Sequence, residues 1–243
     1  MTGLADAALL ATSRPGAVAV RGLPDPPYTT AWTGEADVTP RVLTRRAGIV
    51  FDEAAGLPGE VCRNGLRWAR TAFAPGRGRP DWKRIHPQRQ RRCQQRLLCA
   101  VCTRPADRDG EGYLWLLGAL PDGRLPEGEL TAEPPTCPDC VSVATERCGH
   151  LRRGGWITCR VRAPLAYGVA GTLYTPGRVG EPAVEVGEVK DLSYEDPRAP
   201  WVLARQMLRR LTGCTLVAAG APLALPNASL ISFPMPELPC DCV

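Results

Sequence analysis

The stretch Cys99–Gly118, CAVCTRPADRDGEGYLWLLG, opens with two cysteines two residues apart, and the spacing returns in CPDC at Cys137–Cys140. A C-x2-C pair presents two sulfurs from one tight turn, so two pairs can complete the tetrahedral thiolate sphere that structural zinc prefers. Four buried apolar cysteines, or a redox pair, are the competing readings. Two matched pairs rarely arise by chance, and neither sits in the strand–Trp-Cys–helix setting of a redox motif.

The 34 residues between the pairs decide how the sulfurs meet. QRLLC reads as the strand entering a first knuckle, and Tyr113–Leu117 in GYLWLL as a second strand. PDGR at 121–124 supplies an Asp-Gly turn, after which a short return strand is expected. From Cys137 onward Val141, Ala144, Cys148 and Leu151 recur at helical spacing. Knuckle, hairpin, then a helix carrying the second pair: over residues 96–153 this order resembles a treble-clef zinc finger. The resemblance implies one structural zinc ion on Cys99, Cys102, Cys137 and Cys140. Treble clefs also host HNH-type nucleases, which need a histidine between the cysteine pairs as general base. The two histidines here, His86 and His150, both lie outside that interval, so the nuclease chemistry does not carry over.

Seven further cysteines are present: Cys62, Cys93, Cys148, Cys159, Cys214, Cys240 and Cys242. Cys93, Cys148, His150 and Cys159 are the candidates for a second metal site. The alternative places Cys148 on the apolar face of the helix and Cys214 in the core, with Cys240 and Cys242 adventitious.

Directly before the knuckle, residues 77–96 carry Arg77, Arg79, Lys83, Arg84, Arg89, Arg91, Arg92 and Arg96 against the single acid Asp81. The net charge of +5 says little, because 28 of the 30 cations are arginine, as the codon usage of a GC-rich (for example actinobacterial) genome would impose. The local density says more. Trp82 and Gln88, Gln90, Gln94 and Gln95 add groups that stack or hydrogen-bond, so the run reads as an arm contacting phosphates, with Lys83, Arg84, Arg89, Arg91, Arg92 and Arg96 as its binding residues. A solvated or protein-facing surface is the other reading.

Around this unit the chain divides into a poorly ordered leader (1–30), a mixed segment with the basic arm (31–95), the zinc unit (96–153) and a C-terminal α+β segment with a Pro-rich tail (154–243). Gly48–Phe51 is β-prone. Val61, Leu66 and Trp68 fall near a helical stripe. GWITCRVRAPLAYGVAGTLYTPG reads as a strand pair and AVEVGEVKDLSY as a further strand. Residues 196–213, DPRAPWVLARQMLRRLTG, read as a helix with Trp201, Ala204, Leu208 and Leu211 on one face and Gly213 as C-cap. The fold class expected is α+β.

No phosphate-binding loop, nucleophile elbow or H-x-E motif occurs, so no catalytic residue is assigned. Neither a signal-peptide core nor an apolar run of membrane-spanning length is found, which points to the cytoplasm and to no membrane partner. There eleven cysteines read as metal ligands rather than disulfides. Two functions stay open: a non-catalytic zinc protein binding nucleic acid, and an assembly or adaptor protein with a zinc-rigidified docking surface.

Overall fold

The computed structural model describes residues 26–52, 65–120 and 122–220. The leader up to residue 25, Val61, Cys62 and the tail with Cys240 and Cys242 lie outside the described residues. In chain order the elements are β1 (Thr30–Trp32), β2 (Val42–Arg45), β3 (Gly48–Phe51), β4 (Arg67–Trp68), β5 (Pro80–Ile85), α1 (Pro87–Arg96), β6 (Arg108–Asp109), β7 (Gly112–Gly118), β8 (Leu130–Thr131), α2 (Pro138–Arg147), α3 (Gly149–Gly154), β9 (Trp156–Thr175), β10 (Val184–Ser193) and β11 (Val202–Gly220). Helices and strands are both present, and strand predominates.

Two long antiparallel strands, β9 and β11, run side by side from the pair Trp156–Gly220 to the pair Leu173–Val202. The free edge of β9 takes β7 along Trp156–Val161 and β10 along Gly168–Thr175. The free edge of β11 takes β4, parallel, at Leu203 and Ala204, and β8, antiparallel, at Arg209 and Arg210. β1–β5 and β2–β3 form two small ladders outside this sheet.

The expected strand pair at 156–175 is one strand. Its Pro164 lies between the β7 and β10 contacts, where one edge of β9 has no ladder from which to lose a bond. Two glycines let the backbones close up: a Cβ on Gly168 would stand 1.9 Å from the Leu192 carbonyl oxygen, and one on Gly171 2.2 Å from that of Leu203.

The helix expected at 196–213 is instead β11, preceded by a single 3-10 turn at Ala199–Trp201. As an inner strand β11 is buried on both faces, at Val202–Ala204 and Met207–Arg209, so simple alternation is lost. The register shift at Ala204/Gln206 inserts an extra residue in β11 and breaks its period of two, while that at Leu208/Arg209 inserts one in β9. The good helix formers Leu, Arg, Gln and Met in this run are overruled by strand pairing. Leu66 and Trp68 are likewise not on a helix: Arg67–Trp68 is extended on the β11 edge.

The basic stretch is folded, not a free arm. β5 pairs with β1, and Pro87 at the first helical position opens α1, whose buried face is Pro87, Arg89, Gln90, Cys93 and Gln94. Gln90 clamps the outer edge of β11: its Nε2 donates to the Met207 carbonyl at 2.9 Å and to the Ala132 carbonyl, and its Oε1 accepts from the Met207 N–H at 3.0 Å. Gln94 donates to the Glu133 carbonyl at 3.2 Å. Substituting Gln90→Ala orphans these backbone groups inside the fold, so urea denaturation is expected to show a loss of about 2–3 kcal/mol.

Candidate metal centre

α1 stops at Leu97, which takes a left-handed φ of 50°, and Leu98 N–H closes the cap on the Cys93 carbonyl at 3.0 Å. The knuckle follows at once. Cys99 N–H donates to the Arg104 carbonyl (2.8 Å) and Thr103 N–H to the Cys99 carbonyl (3.0 Å), with Thr103 itself at φ 62°. A β-branched residue in that conformation costs about 1–2 kcal/mol, a strain that the turn around the sulfurs must offset.

The second pair reaches the knuckle along β7. Thr136 N–H donates to the Leu114 carbonyl (2.9 Å), Asp107 N–H to the Thr136 carbonyl (3.1 Å) and Ala100 N–H to the Pro135 carbonyl (3.0 Å). Residues 135–136 are thereby stitched between β7 and the knuckle. Cys137 then caps α2, Pro138 opens it, and Cys140 sits in its first turn. Trp115, wholly buried, fixes the same corner by donating its Nε1–H to the Glu133 carbonyl at 2.8 Å.

The sulfurs of Cys99, Cys102, Cys137 and Cys140 all lie within 4.8 Å of one another, and those of Cys102 and Cys137 are 3.7 Å apart. Tetrahedral thiolates at about 2.3 Å from zinc would stand roughly 3.8 Å apart. The four cysteines could hold a metal ion. Cys99, Cys137 and Cys140 are buried and Cys102 is half-buried.

Burial pushes the Cys137 and Cys140 thiols up. At Cys102 burial also raises the pKa, but hydrogen bonds from Arg104 (side chain and backbone) and from the Cys99 and Cys137 thiols outweigh it, leaving a thiol at about 7. Arg104 Nε is 3.4 Å from the Cys102 sulfur, and its Nη2 is 3.9 Å from that of Cys137 and 2.9 Å from Asp139 Oδ2. Were a metal dication held there, this guanidinium would offset part of the negative charge of the four thiolates around it. The sequence reading missed it. Its position two residues after Cys102 was the available signal.

The hairpin in this region differs from the expected one. Gly123 N–H donates to the Leu120 carbonyl, and the return strand β8 pairs with β11. On β7 one edge pairs β9, and the other pairs β6 at Gly112 and Tyr113 through a turn at Gly110 and Glu111. QRLLC is the end of α1 rather than a strand, and only Leu98 makes a β-bridge, to Pro105.

The second set of metal candidates is dispersed. The Cys93 sulfur points at the Cys99 carbonyl, 3.9 Å away, and Cys159 is fully buried beside Trp115, Val161 and Leu211. Cys148 is exposed rather than on an apolar helix face, and His150 lies over Gly118 at the end of β7. Among the described residues, the His, Cys, Asp and Glu side chains converge as a potential metal site at the four cysteines alone. Burial raises Cys93 to about 12 and Cys159 to about 11, as expected of inert core thiols.

The basic residues divide into two sets. Arg89 is 2% exposed and paired with Glu35, and the Arg91 guanidinium lies 4.6 Å from the centroid of the Trp68 ring. Lys83, Arg84, Arg92 and Arg96 are exposed, as are Arg77 and Arg79. No protein-family model matches this chain, and neither a curated protein nor a solved structure matches it. Among the described residues no helix is long and apolar enough to cross a membrane.

Proposed function

We propose that the chain is a non-catalytic zinc-binding protein whose four-cysteine centre is structural and whose adjacent basic surface binds nucleic acid. The observation that carries the proposal is the convergence of Cys99, Cys102, Cys137 and Cys140 within 4.8 Å. Four thiolate ligands leave no open position for water or substrate, and thiolate softness favours zinc over magnesium or calcium. The treble-clef likeness is retained for the order knuckle, strand, helix.

The partner reading rests on Arg77, Arg79, Lys83, Arg84, Arg92 and Arg96, exposed on β5, on the turn before it and on α1. A protein partner is the second reading, favoured by the end of β11. There Leu216 and Val217 are more than half exposed, and among the described residues no strand pairs the edge turned away from β9.

Purified protein is expected to contain about one zinc per chain and to bind DNA or RNA with an affinity that falls steeply with salt. Arg92→Ala with Arg96→Ala should weaken that binding while leaving the fold intact, since both side chains are exposed. Metal-free folded protein would overturn the zinc assignment. Zinc-loaded protein that binds no nucleic acid at low salt would overturn the partner and leave the docking reading.

A further inference from the structure

Ten large apolar side chains are exposed among the described residues, and eight of them are aliphatic and scattered over other parts of the fold. The two aromatic ones, Phe73 (66%) and Trp82 (57%), both fall in residues 73–84, the stretch that carries Arg77, Arg79, Lys83 and Arg84. Exposed rings normally find a partner, and here they are interleaved with cations. Trp82 stands on β5 in the bulge between the Asp81–Ala31 and Ile85–Thr30 pairs, with ladder on both sides of it and no partner residue of its own. Phe73 meets the buried His86 ring edge-on at 6.0 Å, and the Arg89 guanidinium lies 5.7 Å from its centroid, so one side is held while the rest faces solvent. Arg84 is anchored too, donating to the Trp32 and Glu35 carbonyls at 2.9 and 2.8 Å.

We infer that the exposed segment 73–84 is a stacking platform for single-stranded nucleic acid, with bases on Trp82 and Phe73 and the phosphate backbone along Arg77, Arg79, Lys83 and Arg84. The inference rests on the nucleic-acid reading above and narrows it. A duplex keeps its base faces covered, so it can use the cations and not the rings. A single strand uses both. Stacking and phosphate contacts do not read the sugar, so DNA and RNA strands bind alike. Four cations on a single strand give a slope of log affinity against log salt of about −3.

The test uses the full zinc-loaded chain and labelled oligo(dT), oligo(U) and a DNA duplex of equal length. Oligo(dT) and oligo(U) should bind within about threefold of each other and more tightly than the duplex. Trp82→Ala should lose about tenfold on the single strands and little on the duplex, with Trp82→Phe recovering most of the loss. Lys83→Ala should weaken all three ligands and lower the salt slope by about 0.7. Duplex binding equal to single-strand binding, with Trp82→Ala without effect, would overturn the platform and leave the nucleic-acid reading standing. Absence of binding to every oligonucleotide would overturn both. Trp82 is exposed, so unchanged circular dichroism is expected for its variants and separates loss of binding from loss of fold.

Discussion

Stripping the metal with a strong chelator, or replacing Cys137→Ser, is expected to unfold α2 and the knuckle together, not merely to empty a pocket. The reason lies in what the helix has to stand on. Of the ten residues of α2, Cys140 alone is buried. The cluster around it consists of Cys99, Cys137 and Cys140, with Val101 and Cys102 packed alongside, so the ligands themselves are the core of this corner. An isolated helix of this length is unstable in water, and no apolar stripe is available to dock it. Structural zinc contributes about 10–16 kcal/mol of apparent binding free energy in small finger peptides, far more than such a cluster could supply by burial. Hydrogen exchange is the readout: amides of residues 137–154 should lose protection while those of the β9–β11 ladder keep theirs. A protected α2 in metal-free protein would overturn the structural role. Metal loss should also become easier as pH falls, because the buried Cys137 and Cys140 thiols must give up protons to bind and both are pushed upward.

The four-cysteine cluster was legible in the sequence because a C-x2-C spacing is a local signal that needs no knowledge of the fold. β3, β7 and β10 were legible for the same kind of reason, each an apolar or alternating run between turn residues. β11 was not. Burial on both faces and a bulge at Ala204/Gln206 removed the period of two, and its partners lie 29 or more residues away in the chain, from Leu173 opposite Val202 to Thr131 opposite Arg209, where no local pattern points. The basic stretch was legible as charge and misread as an arm. Three of its five inward residues are polar: Arg89, Gln90 and Gln94 face the body, and each bonds a group far away in sequence. A hydrophobic pattern cannot reveal a helix that docks through amides and a guanidinium.

Arg89→Ala is expected to be the most damaging single substitution outside the metal centre, at about 3–5 kcal/mol. Its partner Glu35 is wholly buried, and the carboxylate accepts from the Trp32 N–H (2.8 Å) and the Ala74 N–H (3.1 Å) as well as from Arg89. Those bonds tie the β1 turn and the residue 74 loop to α1 across the small β1–β5 ladder. Without the guanidinium a negative charge stays inside with no counter-ion, which costs far more than the pair itself is worth. Replacing both residues, Glu35→Gln with Arg89→Met, should therefore be milder than Arg89→Ala alone. His86 supplies a pH signature for the same cluster. Burial and the Arg89 charge hold its pKa below 6.5, with Glu35 opposing them, so the ring is neutral at pH 7. Unfolded chains then bind a proton there that the native state refuses, and the contribution of His86 is complete above about pH 6.5 and lost as pH falls below it. With Arg89 removed, burial still lowers the His86 pKa but the Arg89 repulsion is gone, and Glu35 Oε1, 3.9 Å from Nε2, raises it, so the loss in acid should shrink. Urea melts at about pH 5.5 and about pH 7.5 should show the intact protein weaker in acid and a smaller loss there for Arg89→Ala. Parallel losses in both proteins would mean that the Glu35 charge is compensated by something other than Arg89.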